Sequence, residues 1–460
     1  MRNMILWNLQ NATGGTLYNA DEVMSKEISA VISDSRRVRE NCLFICIKGE
    51  RVDGHDYAAQ VIEDGAIAVV TEKPFPDAEF PYLLVESTFQ ATKDIAEFYR
   101  SGLDTKIIGV TGSAGKTSTK EMIASVLEQK YKVAKTKANL NNEWGVAFTL
   151  LSIKDTDEFA VVEMGINHFG EMDRLAKMAR PDVVVMTNIG QSHLEYLGSR
   201  DGILKAKREI FNYLPPYAMV VLNGDDDKLA TITNANGIKP DYFGFGKSCD
   251  ICAENYKSLG LEGSKFDIVF HSSGGKMTMS VTLPVPGKQM VYNALAATMV
   301  ATKLKIAPLV VKKALETTVA VAGRNNIIKT PHYTILDDAY NACPTSVEAA
   351  IEVLETAPGR KVAILGDMKE LGKNSDKFHF QLGQYVGKSN VDLLICVGEN
   401  SEKTYMGAKM STDNEVQYFK TVDECIKELP KLLKDDDTIL VKASHAMGFE
   451  NIVIWLKTRK

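Results

Sequence analysis

Residues 107–121 read IIGVTGSAGKTSTKE, a β-branched run that ends in a glycine-containing turn and passes into helix-forming residues. This order predicts a strand, a loop and a helix whose backbone N–H groups surround phosphate oxygens. Lys116 would reach the terminal phosphates, and the Thr117 hydroxyl would ligate Mg²⁺. Val110 stands where the strict G-x-x-x-x-G-K-[ST] pattern has its first glycine, so the motif has the shorter T-G-x-x-G-K-T form. A chance turn before a surface helix is the alternative. The residues predicted to touch a nucleotide are Gly112, Ser113, Ala114, Gly115, Lys116, Thr117 and Ser118.

The composition is that of an ordinary globular chain, with 460 residues, 45% hydrophobic and 25% charged residues, and a net charge of −5. This length favours about three domains. The charge gives no reason to expect a nucleic acid or an anionic membrane as a partner. The N-terminal apolar run is too short for a signal peptide, and no run approaches the roughly 18 residues that span a bilayer. We therefore expect a cytoplasmic protein without membrane insertion.

The seven cysteines are scattered and odd in number, which disfavours a disulfide framework. Cys249 and Cys252 form a single C-x-x-C with no second pair and no histidine nearby in the sequence. Cys42 and Cys46 alternate along a predicted strand. A metal or redox role is the alternative for the C-x-x-C pair, but both groupings are interpreted as structural.

Three polar clusters in the first hundred residues follow predicted strands or turns. Polar residues at strand ends form the ligand site of many small α/β domains, and solvated loops are the alternative. The candidate substrate-binding residues of these clusters are Ser33, Asp34, Ser35, Arg36, Lys48, Asp53 and His55.

Two apolar runs in the middle of the chain predict buried strands that end in polar residues. The first ends at Glu163, and the second leads through Asn188 to His193. The carboxyl ends of parallel strands meet at one edge of a sheet, so these side chains are expected beside Lys116 and Thr117. Carboxylate and imidazole groups ligate metals, which makes Glu163 and His193 candidate Mg²⁺ ligands.

An asparagine-rich segment follows the helix after the loop and includes Asn139, Asn141 and Asn142. Its amides suit a sugar, a peptide or a phosphate, and a plain turn is the alternative. Residues 250–283 alternate as β-hairpins do, and strand, polar turn and helix recur at least four times in the last third. We predict a three-domain α/β protein: a small N-terminal α/β domain (1–103), a central mononucleotide-binding doubly wound domain (104–318) and a C-terminal Rossmann-like domain (319–460).

In this order the motifs resemble those of the ATP-dependent Mur ligase family along essentially the whole chain. Each motif is weak by itself, but their order is specific. The resemblance rests on Asp34–Arg36, Leu43–Phe44, Lys48–Gly49, Asp53–His55, Thr111–Ser118, Asn139–Asn142, Glu163–Gly165, Asn188–Gly190, His193, Ala206–Lys207, Asp337–Asn341 and Gly366–Gly372.

The resemblance implies that the first domain holds a UDP-sugar, the second ATP with Mg²⁺, and the third the incoming amine. It implies a ligase that joins D-alanyl-D-alanine to the terminal carboxylate of UDP-N-acetylmuramoyl-tripeptide through an acyl phosphate. We expect the protein to be a monomer. By this resemblance Lys116 is a catalytic residue, Thr117 and Glu163 bind the first metal ion, and His193 and a carbamylated Lys207 bind the second. Asn293 would contact the adenine, and Arg324 and Asp338 would contact the nucleotide from the third domain. Tyr340 and Asn341 would lie near the dipeptide.

The chain departs from the family pattern mainly near the expected amine pocket. Cys343 replaces a usual asparagine, Ala443 and His445 replace a usual glycine and arginine, and Ala147 replaces a common proline. Folylpolyglutamate synthase is a rival, but such enzymes lack the domain that precedes this phosphate loop. The sibling ligases differ as well, because this chain has neither an Asp-Asn-Pro-Arg motif nor a glycine-rich N-terminal turn. A nucleotide-dependent binding protein without catalysis is the alternative from another class.

Overall fold

The computed structural model describes residues 1–272 and 275–459 and contains three β-sheets with helices packed against them. The sheets lie between residues 16 and 84, 106 and 283, and 326 and 442. The predicted three-part α/β architecture is therefore confirmed. The bounds 1–103, 104–318 and 319–460 stay a prediction, and each sheet falls within one of them.

The N-terminal sheet has five strands in the order β1-β5-β4-β3-β2, with β1 antiparallel to β5 and the other pairs parallel. Ser87 precedes helix α3, and its hydroxyl accepts the Gln90 N–H and caps the first turn. The elements are α1 (Leu6–Thr13), β1 (Thr16–Tyr18), β2 (Ala30–Ile32), β3 (Cys42–Ile45), α2 (Ala58–Glu63), β4 (Ala66–Thr71), β5 (Tyr82–Leu84) and α3 (Thr88–Ser101).

The central part begins with the strand and helix that flank the phosphate loop. Its elements are β6 (Lys106–Thr111), α4 (Lys116–Leu127), β7 (Val133–Lys135), α5 (Glu143–Leu151), β8 (Phe159–Glu163), α6 (Glu171–Ala179), β9 (Val183–Met186), α7 (Leu194–Leu197), α8 (Arg200–Arg208), β10 (Met219–Asn223), β11 (Asp241–Gly244), β12 (Ile251–Ser258), β13 (Ser264–Ser272), β14 (Gly275–Leu283), α9 (Lys288–Lys303) and α10 (Pro308–Glu316).

The nine central strands follow the order β14-β13-β12-β11-β10-β9-β6-β8-β7. Strands β12, β13 and β14 pair antiparallel, as the alternating pattern predicted, and the others pair parallel. All five residues of β8 are buried because helices cover both faces of a parallel sheet. The carboxyl ends of β6, β8 and β9 therefore meet at one edge, beside the phosphate loop.

The C-terminal sheet has the order β15-β16-β20-β17-β18-β19, with only β15 antiparallel to its neighbour. Its elements are β15 (Asn326–Lys329), β16 (Tyr333–Asp337), α11 (Pro344–Glu355), β17 (Lys361–Gly366), α12 (Ser375–Gly387), β18 (Leu393–Val397), α13 (Ser401–Lys409), β19 (Glu415–Phe419), α14 (Val422–Leu432), β20 (Asp437–Lys442) and α15 (Glu450–Thr458).

Helix α3 joins the first two parts, because it packs against α1 on one side and against α5 and α6 on the other. One apolar core therefore runs from Leu9 of the first part through Ile95 to Leu175 of the second. Within the described residues, no helix is both long enough and apolar enough to cross a membrane.

Candidate active site

A cleft of about 1030 Å³ opens mainly between the central and C-terminal parts. It brings together most of the predicted site residues, which come from distant parts of the chain. Those that line it are Ser113, Ala114, Gly115, Lys116, Thr117, Ser118, Asn139, Asn141, Asn142, Glu163, His193, Asn293, Arg324, Asp338, Tyr340 and Asn341.

The phosphate loop forms the floor of this cleft. Gly112 and Gly115 have φ angles of +146° and +81°, which side chains strongly disfavour, so glycine is required at both turns. The Lys116 Nζ donates to the carbonyl oxygens of Gly112 at 3.0 Å and Ser113 at 3.3 Å. The ammonium thus folds back over the loop, and burial lowers its pKa.

The residues that follow β9 hold the loop in shape. The Ala114 N–H donates to Asn188 Oδ1 at 3.0 Å, and the Asn188 amide donates back to the Ala114 carbonyl at 3.1 Å. Thr187 donates to the same carbonyl, and the Gly190 N–H donates to Ser113 Oγ at 2.9 Å. These hydrogen bonds fix the conformation of the loop, and such preorganisation favours tight phosphate binding.

Glu163 lies at the end of β8 with only 1% of its surface exposed. Its Oε1 accepts a hydrogen bond from Asn141 Nδ2 at 2.8 Å, and its backbone N–H donates to Thr136 Oγ1. Its Oε2 and the Thr117 Oγ1 are both buried without a hydrogen-bond partner. Two buried oxygens of this kind suit a hard cation such as Mg²⁺.

The described residues contain no group of three or more histidine, cysteine or acidic side chains arranged to hold a metal by themselves. At nucleotide sites Mg²⁺ is held by one or two protein oxygens together with phosphate and water, and Thr117 Oγ1 and Glu163 Oε2 are two such oxygens. The residues present therefore fit a cation that arrives with the nucleotide.

Lys207 is the most unusual charged group near the cleft. It lies in α8, it is 1% exposed, and its Nζ has no hydrogen-bond partner. Burial, together with the charge of Lys116, lowers the pKa of its ammonium well below the ordinary value. Lys207 does not belong to the cleft lining, so it lies behind the surface that the other predicted residues form.

His193 contacts the C-terminal part directly. Its Nδ1 lies 2.5 Å from Oε2 of Glu370. Burial lowers the pKa of His193, and contact with this imidazole lowers the pKa of the Glu370 carboxyl. A histidine of the central part thus meets a carboxylate of the C-terminal part.

Two linked arrangements form the C-terminal wall of the cleft. The Arg324 guanidinium lies 4.0 Å from the centre of the Tyr340 ring, and the ring of His445 stacks on the same tyrosine at 5.1 Å. The buried Lys442 Nζ donates to Asp338 Oδ2 at 2.5 Å and to the Asn341 carbonyl at 2.9 Å. His445, a departure from the family pattern, therefore contacts a residue expected near the dipeptide.

Asn293 is buried in α9 beneath the phosphate loop. Its Oδ1 accepts a hydrogen bond from Thr119 Oγ1 at 3.0 Å, and its Nδ2 donates to the Met290 sulfur at 3.4 Å. Its contact with adenine stays a prediction.

The seven predicted substrate residues of the N-terminal part do not line the cleft. Asp34 pairs with its neighbour Arg36, whose side chain is 86% exposed. His55 is buried. Its Nδ1 lies 2.5 Å from Oδ1 of Asp53, and its Nε2 accepts a hydrogen bond from the Glu72 N–H. Both ring nitrogens of His55 are therefore engaged within the domain, while Arg36 and Lys48 extend into solvent. Their role in substrate binding stays a prediction.

All seven cysteines are free and buried, as the structural interpretation expected. No histidine lies near the C-x-x-C pair along the sequence, but one lies near it in the folded chain. Pairing of β12 with β13 brings His271 Nε2 to 3.5 Å from Cys252 Sγ. Burial raises the pKa of both Cys249 and Cys252, so neither thiol is activated.

Sequence reasoning missed three charged residues around the site: Lys120, Glu370 and Lys442. The fully buried Lys120 Nζ donates to the Thr136 carbonyl at 2.7 Å, pairs with Glu121, and lies 3.9 Å from Glu163 Oε2. Lys120 lies four residues after Lys116, so both lysines lie on one face of α4. This spacing could have indicated from the sequence that Lys120 lies near the site. Glu370 lies in a motif that carried the resemblance, but nothing local indicated its partner.

Comparison with known proteins assigns the chain to a family. Three family models match the chain. The model of the Mur ligase family catalytic domain matches residues 27–140, and that of the Mur ligase middle domain matches residues 110–301. The model of the Mur ligase glutamate ligase domain matches residues 323–445. A UDP-N-acetylmuramoyl-tripeptide--D-alanyl-D-alanine ligase of Bacillus subtilis is 36% identical over 97% of this chain and 96% of its own. The chain belongs to the Mur ligase family.

Other relatives of this Mur ligase match more than nine-tenths of its length. The enzyme of the same name from Escherichia coli is 33% identical over 98% of each chain. A crystal structure of MurF from Acinetobacter baumannii is 32% identical, with a TM-score of 0.89 and 99% of each chain covered. MurF from Thermotoga maritima, solved in complex with ADP, is 28% identical with a TM-score of 0.81 over 93% of this chain and 97% of its own.

Proposed function

We propose that this Mur ligase joins D-alanyl-D-alanine to UDP-N-acetylmuramoyl-tripeptide in peptidoglycan precursor synthesis, with ATP as the energy source. Relatives of that name match between 93% and 98% of the chain. The observation that carries the chemistry is the cleft in which a phosphate loop, a buried carboxylate and the C-terminal residues Arg324 and Tyr340 meet. We further propose a cytoplasmic monomer with the domain bounds 1–103, 104–318 and 319–460.

An amide forms in water only when the carboxylate is first activated. The γ-phosphoryl group of ATP would pass to the terminal carboxylate of the tripeptide, giving an acyl phosphate and ADP. The loop N–H groups and Lys116 would orient the phosphates and neutralise the charge that develops. Mg²⁺, when bound, supplies further neutralisation of the transferring group. Thr117 and Glu163 are the residues that would hold it.

The neutral dipeptide amine would then attack the acyl carbon, and the tetrahedral intermediate would expel phosphate as the nitrogen loses a proton and the amide forms. Tyr340 and Asn341 face the cleft from the C-terminal wall and would position the amine. The C-terminal part would exclude water, which otherwise hydrolyses the acyl phosphate. The UDP-sugar site would be formed by Ser33, Asp34, Ser35, Arg36, Lys48, Asp53 and His55. The rest of the substrate would be contacted by Asn139, Asn141 and Asn142. The nucleotide would be contacted by Asn293, Arg324 and Asp338.

Lys207 would act as a carbamate. Burial lowers the pKa of its ammonium and so favours the neutral amine, whose nitrogen can bond to the carbon of CO₂ with release of one proton. The product is an anion, which would replace an unpartnered buried ammonium with a ligand for a second cation. His193 would share that site.

The experiment that tests this function measures phosphate release from ATP and Mg²⁺ with each substrate alone and with both together. Release that requires both UDP-N-acetylmuramoyl-tripeptide and D-alanyl-D-alanine, with the joined product detected by mass, is the expected result. Phosphate release that occurs only with a folate and glutamate would overturn the proposal. Failure of every substrate pair to cause phosphate release would also overturn it. The Lys116→Ala variant is the control, since it is expected to fold and to release no phosphate.

A further inference from the structure

The contact between His193 and Glu370 crosses from the central to the C-terminal part of the chain. His193 immediately precedes α7, and Glu370 lies in the loop that follows β17. Within the described residues, His193 is the only group that can carry positive charge within ion-pair distance of Glu370. The contact is therefore specific to these two side chains.

Backbone geometry on both sides supports the contact. His193 and Glu370 have φ angles of +63° and +62°, values that non-glycine residues rarely adopt and that often mark functional sites. The Glu195 N–H donates to the Glu370 carbonyl at 3.1 Å. A Cβ atom at Gly372 would lie 3.0 Å from the Glu195 Cα, so the two segments fit closely together. The carboxylate is thus brought to His193 by a docked loop.

The loop that carries Glu370 is fixed to the C-terminal part. The Met368 N–H donates to His379 Nε2 at 3.0 Å, and the Lys369 N–H donates to Ser444 Oγ at 2.9 Å. Asp367 accepts hydrogen bonds from the backbone and side chain of Ser401. The distance between Glu370 and His193 therefore depends on where the whole C-terminal part lies relative to the central part.

The ring nitrogens of His193 have different surroundings. Nδ1 lies 2.5 Å from Oε2 of Glu370, a charge contact outside the angles of a hydrogen bond, and no hydrogen bond to Nε2 occurs among the described residues. A carboxylate at one nitrogen of a metal-binding histidine fixes the orientation of the ring and makes the other nitrogen a better ligand. The pair has the composition of such a carboxylate–histidine unit, with its two members on different domains.

We propose that Glu370 is a positioning residue for the second cation site, which is complete only when the C-terminal domain brings its carboxylate to His193. The inference rests on the proposed function, since His193 is expected to bind the second cation. It follows that domain closure raises the affinity for that cation. Because coupling between sites is reciprocal, binding of the cation also favours closure.

The test is a titration with Mn²⁺, followed by electron paramagnetic resonance, in the presence of a non-hydrolysable ATP analogue and the tripeptide substrate. The unmodified chain is expected to bind two ions. In the Glu370→Gln variant the affinity of the second should fall about 10- to 100-fold, the usual effect of losing such a partner, with the first ion and the nucleotide unaffected. A second-ion affinity within twofold of the original would overturn the inference.

Two further variants separate positioning from a general effect. Glu399→Gln makes the same chemical change at an exposed strand end of the same domain, and it should bind both ions normally. In a His193→Asn background, Glu370→Gln should weaken the second ion no further, because its effect passes through the imidazole. An equal additional loss in that background would contradict the inference.

The outcomes also distinguish this inference from the proposed function. Normal ligation by the unmodified chain, with unchanged second-ion binding in Glu370→Gln, refutes only the role of Glu370. Absence of both ligation and nucleotide-dependent Mn²⁺ binding in the unmodified chain refutes the function and this inference together.

Discussion

The Asn141 side chain donates a hydrogen bond from Nδ2 to Oε1 of Glu163 over 2.8 Å and leaves the other carboxylate oxygen without a hydrogen-bond partner. Gly165 makes this approach possible, because a Cβ atom there would lie 2.9 Å from the Asn141 Cγ. A turn residue predicted only as a substrate contact therefore orients the candidate cation ligand.

Replacement of Asn141 with alanine should weaken cation binding without removing a ligand. Glu163 would lose the bond that holds Oε1, so we expect the affinity for the Mg²⁺ complex of ADP to fall about tenfold or more. Calorimetric titration of the variant with the Mg²⁺ complex of ADP measures this affinity. Asn139→Ala is the control within the same segment, because the Asn139 side chain forms no hydrogen bond with Glu163. Equal loss in both variants would contradict the orienting role.

Replacement of Lys207 with methionine should separate stability from activity. The buried ammonium has no partner, so an apolar side chain of similar length is expected to leave the free energy of unfolding unchanged or raise it by up to about 2 kcal/mol. Ligation should be nearly abolished while ATP still binds. Urea denaturation, phosphate release and nucleotide titration measure the three quantities, and near-normal turnover would refute the carbamate role.

Replacement of Gly112 with alanine should abolish nucleotide binding. The added Cβ would lie 1.9 Å from Thr187 Oγ1, at a φ of +146°, and would displace the hydrogen bond that holds Ala114. Gly237→Ala is the matched control, since its φ is +87° but nothing lies within 4 Å. We expect that control to lose about 1–2 kcal/mol of stability from backbone strain alone, with unchanged nucleotide affinity.

The pH dependence of stability should reveal His379, which supports the loop that carries Glu370. Its Nδ1 donates to the Ser375 carbonyl at 2.8 Å and its Nε2 accepts the Met368 N–H, so the ring is held neutral. Burial lowers its pKa in the folded chain. The unfolded chain therefore binds the extra proton first, and the folded state loses stability as the pH falls below about 6.5.

The measurement is the urea midpoint of the original chain and of His379→Leu at pH 8 and pH 5.5. The midpoint of the original chain should fall more between these values, because the variant lacks the group that takes up the proton. An identical shift in both proteins would show that other groups account for the pH dependence.

Much of the fold was predictable because its signals are local. Strands Ala30–Ile32 and Ala66–Thr71 belong to a largely parallel sheet and read as continuous apolar runs. The phosphate loop was predictable for the same reason, since its glycines, Lys116 and Thr117 are adjacent in sequence. Placement of Glu163 and His193 beside it followed from a general rule about the carboxyl ends of parallel strands.

Other features depended on contacts between distant segments. Cys252 meets His271 only because β12 and β13 pair in one register, and Lys442 reaches Asp338 only because β20 lies beside β16. No periodicity or spacing encodes which polar partner a buried side chain will find. The predicted N-terminal substrate residues illustrate the same limit, since the motif gave no sign that both nitrogens of His55 would be engaged within their own domain.

The phosphate loop, the three-part α/β architecture and the family could be predicted from the amino-acid order, because each depends on short-range order or on the succession of motifs. Three features depend on the assembled chain: one Glu163 oxygen has no hydrogen-bond partner, Lys207 is buried without one, and Glu370 reaches His193. These properties depend on burial and on long-range contacts, which exist only after the sheets and their helices have assembled. A side chain acquires its charge state and its partner from the elements that surround it, not from its neighbours along the chain.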